Sequence, residues 1–189
     1  YDVYTSISLR KCDAEEKSFD TLTGTKIVLL GDSITQGVGS SDYSATGEDL
    51  NTNVYPTKRN VGVKAWGSQI VSLLNTDFGC TAVNNGVSQF NVSNLNDNLD
   101  VLLPNDTDMV ILTIGTNNRG YAKSTFKTDF SVLVRNIINS GAKLFVFSPI
   151  PVNGATASMG MGNMQKVIEE VCTEKEIPFF PLYTMFRIY

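Results

Sequence analysis

The sequence predicts an α/β fold in which helices flank a five-stranded parallel sheet. Short β-branched and apolar runs recur along the chain, and segments with helical periodicity separate them. The connections between these segments are short, which favours right-handed crossovers between parallel strands. With 189 residues, 42% of them hydrophobic, the chain is long enough for one well-buried domain and too short for two.

The predicted elements follow one another in alternation. The first strand, residues 25–30, is apolar and ends at a glycine, which is typical of a buried parallel strand. Apolar residues at helical spacing predict the helices, and a glycine just beyond residue 140 ends the second of them. The other predicted strands are residues 80–83, 109–114, 143–147 and 177–182. The predicted helices begin near Trp66, near Phe126 and at Met164, the last running to Lys175.

Two segments stand apart from this pattern. Residues 1–9 alternate like a half-exposed strand, and residues 11–17 form a charged connector. We divide the chain at residue 22, into a leader (1–22) and a main domain (23–189). The leader is either a strand left from a preceding domain or an arm packed on the core. Residues 37–63 form a long polar region, either a substrate-binding loop with candidate contacts or a surface insertion. Those candidate contacts are Tyr43, Tyr55, Lys58 and Arg59.

Composition excludes several classes of partner. The net charge is −4, with 15 Lys and Arg against 19 Asp and Glu, and no basic run suggests nucleic-acid binding. No apolar stretch is long enough to span a membrane. The three cysteines Cys12, Cys80 and Cys172 lack metal-ligand spacing, and the chain has no histidine. We therefore predict no metal, and we expect Cys80 and Cys172 to be small buried thiols.

The first candidate functional motif is Gly31-Asp32-Ser33-Ile34-Thr35, which directly follows the first strand. Open α/β sheets place their ligands at the carboxyl ends of the strands, so Ser33 is a candidate nucleophile. A serine hydroxyl needs a neighbouring base before it can attack a substrate. The alternative is that Asp32 and Ser33 merely cap a following helix.

Two further motifs follow predicted strands in the same way. They are Asn85-Gly86-Val87-Ser88 and Gly115-Thr116-Asn117-Asn118. Each has a structural alternative, because Gly86 is a plausible turn glycine and paired asparagines often bond their own backbone in turns.

Together the three motifs resemble the first three sequence blocks of the GDSL or SGNH hydrolases, a family of serine esterases and lipases with a three-layer flavodoxin-like fold. The resemblance implies that Ser33 is the nucleophile. It also implies that an oxyanion is stabilised by the backbone amides of Ser33 and Gly86 and by the side-chain amide of Asn117. The residues expected beside the substrate are Asp32, Asn85, Thr116, Asn118 and Pro149. Asn118 departs from the family pattern, which has aspartate there.

The fourth block of the family, Asp-x-x-His, supplies the base and the aspartate that orients it, and this chain does not contain it. We expect the domain to be truncated before its final catalytic loop and helix, and this chain to be inactive as given. Lysine can act as a base when burial lowers its pKa, and Lys58, Lys64 and Lys123 lie near the predicted active face. Nothing in their spacing selects one, so solvated surface lysines are the expected outcome.

The function implied by the resemblance is hydrolysis of a small-molecule or carbohydrate ester through an acyl-enzyme, with O-acetyl groups on carbohydrate as the favoured substrate. The alternative is a glycan-binding module, without catalysis, within a larger extracellular or virion surface protein. We expect an extracellular or virion-associated location rather than a cytoplasmic one. No glycine-rich phosphate loop follows the first strand, so a flavodoxin-like cofactor is not expected and no cofactor is predicted.

Overall fold

The computed structural model describes residues 22–41, 48–50, 57–59, 63–152 and 159–187. The strands are β1 (Lys26–Gly31), β2 (Glu48–Leu50), β3 (Thr57–Arg59), β4 (Thr81–Asn84), β5 (Met109–Thr113), β6 (Lys143–Phe147) and β7 (Phe179–Phe180). The α-helices are α1 (Ser33–Gln36), α2 (Trp66–Asp77), α3 (Val92–Asp97), α4 (Leu99–Leu102), α5 (Lys123–Asn139), α6 (Met161–Glu174) and α7 (Leu182–Arg187). A 3₁₀ helix spans Thr116–Asn118.

Five strands form one sheet in the order β4-β1-β5-β6-β7, and every neighbouring pair is parallel. The register places Val28 beside Val83 and Val110, and Val110 beside Leu144. The predicted fold class is confirmed. All five carboxyl ends therefore lie at one edge of the sheet, and the turns that follow β1, β4 and β5 meet there.

One face of the sheet carries the larger core. Val28, Leu30, Val110 and Leu112 face helices α3, α5 and α6, and all four are buried. The rings of Phe126 and Phe130 on α5 stack beneath them with centroids 5.8 Å apart. These contacts follow from the helical spacing of apolar residues on α5 and α6, which places one apolar face of each helix on the sheet.

The opposite face is covered less completely. Helix α2 packs over β1 and β4, where Ile27 and Leu29 are buried. Towards β6 and β7 the cover is thinner, since Phe147 is half-buried and Phe180 is 43% exposed. The two rings contact each other with centroids 4.9 Å apart.

The fifth strand is shorter than predicted. The sequence predicts strand over residues 177–182, but only Phe179 and Phe180 pair with β6, and α7 begins at Leu182. Pro178 and Pro181 flank the paired residues, and a proline cannot donate a ladder hydrogen bond. The Met185 amide donates to the Pro181 carbonyl at 3.0 Å, so the chain turns into a helix.

The sequence also failed to predict four short elements. Helices α3 and α4 lie between β4 and β5, and α3 begins with a capping box between Asn91 and Asn94. Strands β2 and β3 form a small antiparallel sheet within the polar region predicted as a loop. Residues 1–21, Tyr43 and Tyr55 lie outside the described residues, so the predictions for them stay predictions. Cys80 and Cys172 are free and buried, as predicted.

Candidate active site

The nucleophile motif forms a tight turn between β1 and α1. Asp32 is the N-cap of α1, and Ser33 is the first residue of the helix. Gly31 allows the turn to close, because a Cβ there would lie 2.3 Å from the Thr113 carbonyl oxygen. The indole N–H of Trp66 donates to the Ile34 carbonyl at 2.9 Å and ties α1 to α2. Ser33 is therefore held at the carboxyl edge of the sheet and remains partly exposed.

Asp32 is 1% exposed, so it supports the turn from inside. Its Oδ1 accepts from the Ile34 amide at 2.9 Å, while Oδ2 has no partner of hydrogen-bond geometry among the described residues. Burial raises the pKa of Asp32 to about 6, and the Ile34 amide and the nearby Thr116 oppose that rise. Burial therefore makes ionisation of Asp32 less favourable than in water, and the carboxylate form predominates only above about pH 6.

Asn84 joins the second motif to the nucleophile helix. Its Nδ2 donates to the Thr35 carbonyl at 2.7 Å, and its Oδ1 accepts from the Gly86 amide at 3.0 Å. A Cβ on Gly86 would lie 2.5 Å from the Gln36 amide nitrogen, so the loop can approach α1 this closely only with glycine there. The predicted oxyanion donor, the Gly86 amide, is thus already engaged by a side chain.

Sequence reasoning did not single out Asn84. The signal that could have found it is its place at the end of β4, where alternation puts Ala82 and Asn84 on the buried side. A polar residue in a buried strand position needs hydrogen-bond partners, and Asn84 finds them in the turns that follow β1 and β4.

The third motif is held by its two asparagines. The Asn117 Nδ2 donates to the Phe90 carbonyl at 2.8 Å, which leaves its second N–H for another acceptor. The Asn118 Oδ1 accepts from the Val92 amide at 3.1 Å, and Asn118 is fully buried. Its Nδ2 has no partner among the described residues. Asn118 thus fixes the loop before α3, and the departure from aspartate leaves one buried donor unpaired.

The other predicted substrate contacts are either buried or hydrogen-bonded to another part of the fold. The Asn85 Nδ2 donates to the Leu102 carbonyl at 2.7 Å, away from Ser33's turn. Thr116 is buried, and Pro149 is buried near Gly115, where a Cβ would lie 3.3 Å from its ring. Substrate contact by these residues stays a prediction.

An apolar cavity of about 420 Å³ lies beside the nucleophile turn, on the less covered face of the sheet. It is lined by Ile34, Trp66, Ile70, Ile111, Thr113, Phe147, Ile150, Leu182 and Phe186. The cavity begins at the residue that follows Ser33, so Ser33 has an apolar wall on its α2 side.

The candidate lysine bases are exposed where the structure describes their side chains. Lys64 and Lys123 are exposed, and the Lys58 side chain lies outside the described part of the chain. The described residues contain no group of three His, Cys, Asp or Glu side chains placed to hold a metal. Burial raises the pKa of Cys172 to about 12, so this thiol stays protonated. Within the described segments, no helix has both the length and the apolarity to cross a bilayer.

The sequence model of the GDSL-like Lipase/Acylhydrolase family matches residues 29–188, which include all three motifs. The chain belongs to this family. Its members are carboxylic ester hydrolases, which agrees with a serine at the carboxyl edge of a parallel sheet. A comparison with curated protein sequences gives no match.

Solved structures with the same fold include two named esterases and a lipase/acylhydrolase. A catalytic mutant of Axe2, an acetylxylan esterase from Geobacillus stearothermophilus, superimposes with a TM-score of 0.65 at 18% identity, covering 88% of this chain and 82% of that one. A lipase/acylhydrolase from Enterococcus faecalis gives 0.58 at 20% identity, covering 87% and 80%. A mutant of the esterase AlinE4 gives 0.62 at 13% identity, covering 85% and 77%. At these identities the likeness establishes the SGNH-type fold.

Proposed function

We propose that this GDSL-family chain carries the nucleophile and oxyanion donors of a serine esterase. The observation that supports this most directly is the arrangement of Ser33 and Asn117. Ser33 begins a capped helix at the carboxyl edge of β1, and Asn117 lies in the 3₁₀ helix that follows the neighbouring strand β5. Backbone N–H groups in the first turn of a helix have no partner within the helix, so the Ser33 amide is available to a substrate oxygen.

The reaction would proceed in two steps. The Ser33 Oγ bonds to the ester carbonyl carbon, its proton passes to a base, and the carbonyl oxygen gains the negative charge. The Ser33 amide and the second N–H of Asn117 donate to that oxygen. The alcohol then leaves with a proton, and water releases the acid from the acyl-enzyme.

No side chain among the described residues is placed to act as the base, because the chain contains no histidine and the described lysines near the site are exposed. We therefore expect the chain as given to show only the residual catalysis that binding and oxyanion stabilisation provide. A base of imidazole type, supplied from outside these residues, would complete the site.

Acetylated carbohydrate is the substrate class we favour. Axe2, which shares the fold, is an acetylxylan esterase, and an acetyl group is small enough to need no dedicated acyl pocket. This choice rests on likeness of fold at low identity and on the polar region beside the nucleophile turn.

Acetate release from acetylated xylo-oligosaccharide tests the proposal. The assay compares the chain with Ser33→Ala, each with and without added imidazole. The Ser33→Ala control is needed because imidazole also reacts with esters on its own. We expect imidazole to accelerate acetate release by the chain more than by Ser33→Ala. Equal rates for the two proteins would contradict the proposal.

The lack of histidine also favours a second candidate, a glycan-binding module of a larger extracellular or virion surface protein. Such a module would bind glycans with unchanged affinity after Ser33→Ala and would show no acceleration by imidazole. Glycan binding measured by calorimetry on both proteins separates the two candidates.

A further inference from the structure

The carboxyl group of Asp32 has one oxygen that the fold leaves unpaired. Its Oδ1 accepts from the Ile34 amide, whereas Oδ2 has no partner among the described residues. The hydroxyl and the backbone amide of Thr116 lie close enough to the carboxyl to lower its pKa against the effect of burial. The Thr116 hydroxyl also lacks a partner of hydrogen-bond geometry, and Thr116 is buried. An unpaired acceptor and an unpaired donor are therefore neighbours in the protein interior.

Thr116 connects this carboxyl to Asn117. Thr116 begins the 3₁₀ helix, and the next residue is Asn117, whose side-chain amide is the proposed oxyanion donor. The turn before the 3₁₀ helix rests on the core, because a Cβ on Gly115 would lie 2.6 Å from the Met164 Sδ. A shift of Thr116 relative to the carboxyl therefore moves Asn117 relative to the nucleophile turn.

Helix capping alone does not require a carboxylate at this position. Asparagine caps helices about as well as aspartate, and its side-chain oxygen would accept from the Ile34 amide in the same way. Asparagine also avoids the burial of an anion, which raises the pKa of Asp32 to about 6. A residue that lowers stability at neutral pH, where a neutral cap would serve, indicates a functional requirement.

Few ionisable side chains lie on the described elements around Asp32. Helix α1, strand β5, the 3₁₀ helix and residues 84–91 contain none. Lys26 lies at the opposite end of β1, and Asp77 is the last residue of α2. Arg119 is the first charged residue after the 3₁₀ helix, and arginine does not deprotonate in proteins. A change in this region near pH 6 therefore reports the Asp32 carboxyl itself.

We propose that Asp32 is a positioning residue whose carboxylate accepts from Thr116 and so holds Asn117 against the nucleophile turn while the oxyanion forms. This inference rests on the proposed function. An ionised carboxyl only accepts hydrogen bonds, so Oδ2 can take the Thr116 hydroxyl and amide, whereas protonation places a hydrogen on the carboxyl and removes acceptor capacity. Catalytic hydrogen bonds are often long in the free protein and tighten during the reaction, which agrees with the unpaired Oδ2.

Asp32→Asn separates positioning from stability. The variant loses the charge and one acceptor oxygen. We therefore expect Ser33 to react with a fluorophosphonate about tenfold more slowly at pH 7.5, even though the variant should be more stable than the wild type there. With imidazole at a fixed concentration, the ratio of the wild-type rate to the variant rate should rise from about 1 at pH 5 to about 10 at pH 8. The midpoint should lie near pH 6, because the titration of imidazole cancels in the ratio.

Thr116→Val removes the hydroxyl beside the carboxyl, so it should slow labelling severalfold, and Thr116→Ser should restore the rate. Because both substitutions break one contact, Asp32→Asn combined with Thr116→Val should be no slower than Asp32→Asn alone. The matched control is Ser68→Ala on α2, which removes another buried hydroxyl without a partner among the described residues. It should leave the labelling rate unchanged.

Three results would overturn the inference and leave the proposed function intact, because the wild type would still be labelled at Ser33. The first is a rate ratio for Asp32→Asn that stays at 1 or does not change with pH. The second is slowing by Asp32→Asn together with a loss of stability, which indicates a structural role. The third is equal slowing by Thr116→Val and Ser68→Ala. Failure of the wild type to be labelled at Ser33 would overturn both.

Discussion

The polar side chains at the two ends of the parallel sheet differ in how completely they are hydrogen-bonded. At the amino end, the hydroxyl of the buried Thr107 donates to the Pro104 carbonyl at 2.7 Å, and the exposed Asp108 accepts from the Lys26 amide at 2.8 Å. At the carboxyl end, four buried side chains each keep a polar atom without a partner among the described residues. These are Asp32, Thr113, Thr116 and Asn118.

An unpaired buried polar atom costs free energy, so most folds have few of them. Their concentration beside Ser33 indicates that the carboxyl end is shaped by a requirement other than stability, as active sites commonly are. The difference between the two ends gives a graded set of expectations. Substitutions at the carboxyl end should change reactivity, pH dependence or stability, and those at the amino end should change little.

The largest expected effect is at Asn117. Asn117→Ala removes a donor to the oxyanion, so the rate at which a fluorophosphonate labels Ser33 should fall by about 10² to 10³-fold. The matched control is Asn96→Ala on α3, whose Oδ1 accepts from Asn136 at 2.7 Å, outside the catalytic turns. If both variants are labelled at the wild-type rate, the oxyanion role of Asn117 is wrong.

Asp32→Asn should raise stability at neutral pH. The pKa of Asp32 is about 6 in the fold against its ordinary value of 3.8, so the native state binds the proton more tightly between these pH values. Ionised Asp32 therefore lowers the free energy of unfolding above pH 6. The neutral amide of asparagine removes this penalty, which is about 2–3 kcal/mol at pH 7.5. Urea unfolding from pH 4 to 8 should show the advantage shrink below pH 6. An advantage that is independent of pH would contradict this cause.

Asn118→Ala should destabilise the fold by about 1–3 kcal/mol, because the buried Val92 amide loses its acceptor. Chemical denaturation at pH 7.5 measures the loss. A variant as stable as the wild type would show that the Val92 amide finds another acceptor, and that Asn118 does not anchor the loop before α3.

The smallest effect is expected at the amino end. Lys26 and Asp106 form an ion pair whose side chains are 47% and 65% exposed. Exposed pairs of this kind contribute little, so Asp106→Asn should leave the free energy of unfolding unchanged within experimental error and Ser33 labelling unaltered. A larger loss, or slower labelling, would weaken the contrast between the two ends.

Much of this architecture could be predicted from local sequence. The apolar runs predict the strands of the parallel sheet. Gly31 and Gly86 mark two of the turns after these strands, where the backbone packs too closely against its neighbours to leave room for a Cβ. The hydrogen bonds that connect those turns could not be predicted, because they join residues far apart in the chain. Asn84 reaches Thr35 across 49 positions, and Asn117 reaches Phe90 across 27.

The same limit applies to the oxyanion donors. The resemblance of Asn85-Gly86-Val87-Ser88 to the second family block implied the Gly86 amide as a donor. In the fold, the Gly86 amide donates to the Asn84 side chain, and Gly86 packs closely against Gln36. Which amide is free depends on the partners that the other loop residues find after folding.

The most direct test of the account is the mass of the protein after treatment with a fluorophosphonate in the presence of imidazole, followed by peptide mapping. The account predicts a single phosphonyl adduct on Ser33, lost in Ser33→Ala and formed faster with imidazole than without it. A chain that stays unlabelled at Ser33, or is labelled equally in Ser33→Ala, would contradict a nucleophilic role for the serine.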